Sequence, residues 1–308
     1  MKLTQRAYRD EHDEARMAAL VRVRPADNLH VVDLPYRLSS WAFDEPGNIR
    51  LWETAGGDVL AWAVLQSPFW AIDYAYHPAA PPNVHADILA WVDARAQTLL
   101  DTPYGRPAWF VHVFDWQLQR QHDLAAQGFA PQANVGANSW SKVLFQRRAD
   151  APVSHRPLPP GFTLRPLRGV EEVAAYVSLH RAVFESENMT VAWRQRTLHH
   201  PDYRPDLDLV AVDPDGQLAA FCVCWFAPVG VAGRPSGQIE PLGVRADVRQ
   251  KGLGRALVAE GIRRLARCGA EHVVVETDKY RDAAFAFYEA VGFHVVQNVF
   301  VYRKDYHP

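Results

Sequence analysis

Apolar positions along the chain alternate between stretches of helical spacing and stretches of strand spacing. Ala7 to Leu20 and Val170 to Phe184 carry the helical pattern. Each is followed by two β-rich runs across a turn. In the first half these are Ile49–Glu53 and Val59–Gln66 around Ala-Gly-Gly-Asp (55–58). In the second they are Leu207–Val212 and Gln217–Phe226 around Asp-Pro-Asp-Gly (213–216). Gly, Pro and Asp supply the backbone angles of tight turns, so both pairs predict hairpins. A further strand and helix follow in each half: Trp70–Tyr76 then Val84–Leu99, and Gln238–Val244 then Gly252–Cys268. Trp109–Val113 and His272–Glu276 read as buried strands.

The two halves therefore repeat one order of elements, and a short motif repeats with it. Leu124-Ala-Ala-Gln-Gly-Phe129 stands opposite Tyr288-Glu-Ala-Val-Gly-Phe293. Between the halves, residues 146–162 carry charge and four prolines without apolar periodicity, which marks a linker. The expected division is a domain at 1–147, a linker at 148–160 and a domain at 161–308. Strands alternating with helices argue for an α/β fold with a mixed sheet in each half.

Composition narrows the function. Hydrophobic residues make up 48% and charged residues 22%, with a net charge of -2 and no basic stripe, so neither nucleic acid nor an anionic membrane is an expected partner. No apolar run approaches the roughly 20 residues that cross a bilayer, and the charged amino terminus is no signal peptide. Cys222, Cys224 and Cys268 are too few for a disulfide framework, which fits a reduced, cytoplasmic setting. Cys222 and Cys224 read as small buried apolar side chains. The thirteen His residues lack metal-site spacing, and no metal is expected. Trp41, Trp52, Trp62 and Trp70 are candidates for a pocket between the halves, with core packing the stronger expectation.

The most informative segment runs from Ile239 to Val258. A strand ends at Val244, a short loop follows, and a helix begins near Gly252 with Leu253, Leu257, Gly261 and Leu265 toward the sheet. Two glycines at a helix start leave backbone N–H groups open to an anion, and the helix dipole adds to the attraction. Arg249, Lys251 and Arg255 supply further positive charge, so a diphosphate fits. A P-loop is excluded because no G-x-x-x-x-G-K-[ST] occurs, and Leu257 stands at the third glycine of a dinucleotide fingerprint.

Arg249-x-x-Gly252-x-Gly254 resembles the R/Q-x-x-G-x-G/A signature of the GNAT superfamily of acetyltransferases. Ala284-Phe-Ala-Phe-Tyr288-Glu-Ala-Val-Gly292-Phe293 resembles the family's second signature, A-x-x-x-Y-x-x-x-G-F. The resemblance is specific over the second half. It implies two tandem GNAT-like domains, each a mixed, mostly antiparallel twisted sheet flanked by helices. It also implies acetyl-CoA as cosubstrate, held by Leu242, Val244, Arg249, Gln250, Lys251, Gly252, Leu253, Gly254, Arg255, Arg281 and Tyr288. The first half's equivalent turn, His77-Pro-Ala-Ala-Pro-Pro-Asn83, has no glycine and three prolines without N–H donors. That half reads as a degenerate partner.

The resemblance implies that a backbone N–H near Val244 stabilises the developing oxyanion and that the Tyr288 hydroxyl is the general acid. Arg281 departs from the family, where many members carry Asn. Gln238 stands where several relatives carry a catalytic Glu. Glu240, two residues on, shares the period-2 face of Gln238, Leu242 and Val244 and is a candidate general base. Glu276 and water remain alternatives. The expected reaction is direct attack of a primary amine, of a small molecule, on acetyl-CoA in a ternary complex. Acetylation of a peptide or protein amine, or a non-catalytic acyl-CoA-binding module, are the other readings. Monomer and homodimer both remain open.

Overall fold

Strand pairing runs unbroken from one half of the chain into the other. The structure is a computed structural model describing residues 1–133, 141–153 and 157–307. First-half strands are β1 (Thr4–Ala7), β2 (Ile49–Glu53), β3 (Val59–Gln66), β4 (Ala71–Tyr76), β5 (Ala108–Phe114), β6 (Ala130–Pro131) and β7 (Ser141–Arg148). Second-half strands are β8 (Thr163–Pro166), β9 (Asp208–Val212), β10 (Leu218–Ala227), β11 (Ser236–Val244), β12 (His272–Asp278) and β13 (His294–Asp305). They form one mostly antiparallel sheet in the order β1-β2-β3-β4-β5-β13-β7-β12-β11-β10-β9-β8, with β6 also on β13.

The order reveals an exchange. β7 belongs to the first half by sequence, yet it lies between β12 and β13, both from the second. In return, β13 extends past β7 to pair with β5 of the first half, Val299 opposite Phe114 and Asp305 opposite Ala108. Each half thus completes its sheet with a strand of the other. Gln146, Arg147 and Arg148 were expected at the start of a linker and instead close β7, opposite Val274, Val273 and His272. Buried Arg147 replaces lost hydration by donating to the carbonyls of Val291 and Ala151. Residues 154–156 of the expected linker lie outside the described residues.

Helices α1 (Glu11–Val23), α2 (Leu34–Leu38), α3 (Val84–Leu99) and α4 (Leu118–Ala126) flank the first half, and α5 (Val173–Phe184), α6 (Val191–His199), α7 (Leu253–Arg267) and α8 (Asp282–Ala290) the second. α1 starts four residues later than its periodicity suggests, because Asp10 caps it by accepting from the N–H groups of His12 and Asp13. The residues before it are taken by β1, which pairs with β2.

Three cores result. One lies under α3 and α4, and another under α7 and α8. The third joins the halves, bringing Met17, Tyr36 and Trp62 together with Tyr176, Trp193 and Trp225. The Trp193 indole donates to the Tyr36 carbonyl across this junction at 3.1 Å, and the two rings lie 5.0 Å apart. Trp52 and Trp62 are buried in cores, while Trp41 and Trp70 are less buried and neither lines the cleft described below. Core packing accounts for Trp52 and Trp62, whereas Trp70 is an exposed side chain. Cys222 and Cys224 are buried free thiols. No described helix is long and apolar enough to cross a membrane.

A shared sheet predicts shared stability. Phe145 of β7 packs against Phe285 of α8 at 4.6 Å and carries a first-half ring into the second-half core. Phe145→Ala should lower stability by about 3 to 5 kcal/mol. Urea unfolding followed by circular dichroism should remain one transition, displaced as a whole; two separated transitions would contradict the shared sheet.

Candidate active site

The parallel pair β11 and β12 is joined only from Ser236–His272 to Gln238–Val274, and beyond those residues the strands part. A cleft of about 550 Å³ opens at this splay. Glu240 and Leu242 border it from β11, Glu276 and Asp278 from β12, and Arg281, Phe287 and Tyr288 from the segment of α8. The first half closes the other side with His30, Asp33, Tyr36, Arg37, His112 and Lys142. A cleft at a domain junction with convergent polar groups is a natural place for a ligand.

Glu240 owes its placement to a bulge. Ile239 pairs with Cys224 and Leu242 with Cys222, so Glu240 and Pro241 together oppose the single residue Val223. Directly opposed residues share a face. Gln238, opposite Trp225, therefore points toward the junction core, whereas Leu242 and Val244, opposite Cys222 and Ala220, point toward α7. The expected single face of Gln238, Glu240, Leu242 and Val244 is broken at the bulge. The Trp225 indole locks the bulge by donating to the Glu240 carbonyl at 2.7 Å. Gln238 is buried, its Oε1 without a hydrogen-bond partner, and it does not border the cleft.

The charged groups of the cleft sort into pairs. Lys142 Nζ contacts Glu276 at 2.7 Å and Asp278 at 3.3 Å. Arg281 holds Asp278 at 2.9 Å, and Arg37 grips Asp73 through two hydrogen bonds of 2.6 and 2.8 Å. His30 Nδ1 lies 3.2 Å from Asp33. The Glu240 carboxylate alone among these acids has no ion pair among the described residues. Burial, then the nearby Asp33 and Glu276 charges, push its pKa up to about 8. Burial also works against the charge of Glu276, but its neighbours, Lys142 first among them, outweigh it and hold that carboxyl well below the usual range. His112 is pushed down to about 3 by burial and by Lys142. Burial, followed by the Glu240 charge, raises the Tyr288 hydroxyl far above an ordinary tyrosine, so it keeps its proton at any working pH.

At the far end of β11, Arg249, Gln250, Lys251 and Gly252 turn the chain into α7. Gly252 sits at φ +89°, a left-handed conformation that L side chains rarely adopt, with open space where a Cβ would stand. The first turn of α7 carries no side-chain cap, so its amides are open to an anion. At Gly254 a Cβ would stand 3.4 Å from Val244, within contact. Arg249 Nε donates to the Val244 carbonyl at 3.1 Å, tying the loop to the strand end. Among the described residues, none of Arg249, Lys251 and Arg255 has a salt-bridge partner. Leu253 is buried among the core of α7, so only its backbone faces the turn.

Of the residues singled out from sequence, Glu240, Leu242, Arg281 and Tyr288 come together around the cleft, and those from Arg249 to Arg255 form the adjoining turn. Phe287 links the two, bordering the cleft and lying 3.8 Å from the Gly254 Cβ position. The first-half wall was missed. Its acids and cations come from short helical turns and single strand positions, where no periodic signal or motif singles them out. Its own parallel pair, β4 and β5, is joined only at Ala71–Phe110, and beside it Arg120 bonds the Tyr76 hydroxyl and the Asp27 carbonyl at the edge of a cavity of only about 50 Å³.

Comparison with known proteins agrees with this fold. Residues 173–293 match the model of the Acetyltransferase (GNAT) family. The mycothiol acetyltransferase of Salinispora arenicola is 34% identical over 161 residues, 50% of this chain and 52% of that protein. The first relatives are thus matched over about half their length. The mycothiol acetyltransferase of Propionibacterium freudenreichii is 31% identical over 291 residues, 90% of this chain and 88% of its own. Among solved structures, a tandem GNAT protein from the clavulanic acid biosynthesis pathway superposes with a TM-score of 0.66 at 15% identity, covering 100% of this chain and 99% of that one.

The raised Glu240 pKa has a sign that stability can read. The folded protein keeps a proton on Glu240 that the unfolded chain releases near 4.5, so this group costs stability increasingly as pH rises from about 4.5 to 8. Glu240→Gln removes that cost. The two proteins should melt together near pH 5, and the variant should lead by about 2 to 6 °C near pH 8. A lead independent of pH would contradict the raised pKa.

Proposed function

The chain belongs to the GNAT acetyltransferase family, a family of acyltransferases, and from that premise we propose that it moves an acetyl group from acetyl-CoA to a primary amine of a small molecule. The observation that carries this reading is the meeting of the unpaired Glu240 carboxylate and the protonated Tyr288 hydroxyl in one cleft, beside a glycine turn open to anions.

In this reading the diphosphate of acetyl-CoA rests on the first-turn amides of α7, with Arg249, Lys251 and Arg255 balancing its charge. Leu242, Val244, Gln250, Leu253 and Arg281 complete the binding surface, through backbone or side chain. The pantetheine arm enters the splay between β11 and β12. Glu240 takes a proton from the incoming ammonium, and the free amine attacks the thioester carbonyl. Approach of the ammonium lowers the Glu240 pKa from about 8, so the carboxylate gains population as substrate binds. A backbone N–H near Val244 faces the oxyanion, as the family pattern suggests. Collapse releases coenzyme A thiolate, which takes the Tyr288 proton. Glu276, held ionised by Lys142, is a poor base by comparison.

Residues of both halves surround the cleft, which favours a compact acceptor over a protein segment. The relatives' name, mycothiol acetyltransferase, is in keeping with a low-molecular-weight acceptor. An uncompensated carboxylate in the cleft speaks against a binding module, since a module has no use for a destabilising buried acid.

Replacement of Tyr288 by Phe separates chemistry from binding. With glucosamine, spermidine and cysteamine as trial acceptors, the best substrate should lose about 10²-fold or more in kcat. Affinity for acetyl-CoA should change less than about twofold. Unchanged kcat removes Tyr288 as the acid.

A further inference from the structure

Two glutamates face one cleft, and only one can serve as the base while the other stays out of the way. Resting on the acyl-transfer reading, we propose that Lys142, delivered by the exchanged strand β7, is a positioning residue. By holding Glu276 and Asp278 in ion pairs, it reserves the unpaired Glu240 as the proton acceptor.

The geometry is that of a clamp across the splayed end of β12. Lys142 stands directly opposite Asp278 in the β7–β12 register, while Glu276, two residues back, opposes Leu144. The Lys142 side chain spans both acids, at 2.7 Å to Glu276 and 3.3 Å to Asp278. Side-chain exposure of Lys142 is 23% and of Glu276 10%, so water screens this pair little. Without the cation, Glu276 and Glu240 would face each other as two like charges in a low-dielectric cleft and would compete for one proton. With it, the two carboxyls are unequal, which is what an acid–base assignment requires.

Other charges surround the pair but do not duplicate this effect. Glu276 is also faced by His30 of the turn before α2, at 4.0 Å, and by His112 of β5, which burial keeps neutral. Glu240 is faced by Asp33 and Arg37 from the segment of α2, Arg37 being committed to Asp73, by Glu276 of β12, and by Lys142 itself, whose charge also lowers the Glu240 pKa directly. Three hydroxyls also feel the Glu240 charge: Tyr36 of α2, Tyr176 of α5 and Tyr288 of α8. Among the described residues, Arg281 forms its ion pair with Asp278 and not with Glu276. Lys142 is thus, among the described residues, the one cation in ion-pair contact with Glu276 from the first half's sheet. A half that lacks a cofactor turn of its own contributes to chemistry in the other.

The test uses the full chain and two readouts. Carboxyl ¹³C NMR of labelled glutamate follows the two titrations without any turnover. The pH dependence of kcat/KM for acetyl transfer from acetyl-CoA to the best trial amine follows the base in action. In the unsubstituted protein Glu240 should titrate near 8 and Glu276 should stay ionised over the folded range. Lys142→Met should raise the Glu276 titration by about one unit or more and move the Glu240 limb of kcat/KM upward. Lys142→Arg should keep both near their original positions. Adding Glu276→Gln to Lys142→Met should bring the limb back, a rescue that a merely structural lysine or a substrate-binding lysine would not show. Should Lys142→Met not fold, Glu276→Gln alone reads the same coupling in reverse, moving the limb down. An unmoved Glu276 titration in Lys142→Met, an unmoved limb in Glu276→Gln, or a double variant no better than the single one overturns the proposal. Absence of transfer by the unsubstituted protein instead removes the acyl-transfer reading and the role of Glu240 with it, while the NMR titrations still report separately on the ion pairs.

Discussion

Parallel pairing of β11 and β12 stops after three residues, and the space it leaves is the starting condition for everything proposed of this protein. Strands that part expose backbone and leave side chains from two adjacent strands facing a gap rather than each other. Such a gap persists only if the strands are held elsewhere. β11 is held by β10 along its length, through the bulge at Glu240 and Pro241. β12 is held by β7, from His272 at one end to Asp278 at the other. Because β7 comes from the first half, the cleft in the second half depends on the exchange of strands between them. Neither half is a self-sufficient sheet.

The electrostatics follow from that arrangement. Most acids in the cleft are matched to a cation delivered by another element, which is the usual solution for charge at low dielectric. Glu240 is the exception, and its high pKa expresses the cost of leaving it unmatched. Structures that keep such a group give up stability for a proton site poised near the working pH. The same physics assigns opposite states to Glu240 and Glu276, although both are glutamates on neighbouring strands.

Much of the fold was legible in the sequence, and the parts that were not share a cause. β2, β3 and α3 fall where periodicity put them, because hydrophobic spacing and flanking turn residues agree there. The turn at Arg249–Gly254 and the Tyr288–Phe293 motif were legible because they carry a dense local pattern. The end of β7 was read as linker because Gln146, Arg147 and Arg148 look like linker residues, and nothing local shows that Arg147 is buried on carbonyls of other segments. Exchange between halves is likewise invisible to local pattern, since it concerns which partner a strand finds. The bulge did leave a mark: Pro241, inside an otherwise β-type run, is a residue that strands tolerate at bulges and edges. Read that way, it would have placed Leu242 and Val244 on the other face from Glu240. His30, Asp33, Arg37 and Lys142 reach the cleft only through tertiary structure.

On the proposed reading the second half carries an acyl-CoA site, and the first half, whose turn has no glycine and whose cleft is only about 50 Å³, does not. Calorimetric titration of the full chain with acetyl-CoA measures this directly, because it returns affinity and stoichiometry together. The account predicts one site per chain, abolished by replacing Gly252 with a β-branched residue that cannot hold φ near +89°. Two sites per chain, or no binding at all, would contradict it.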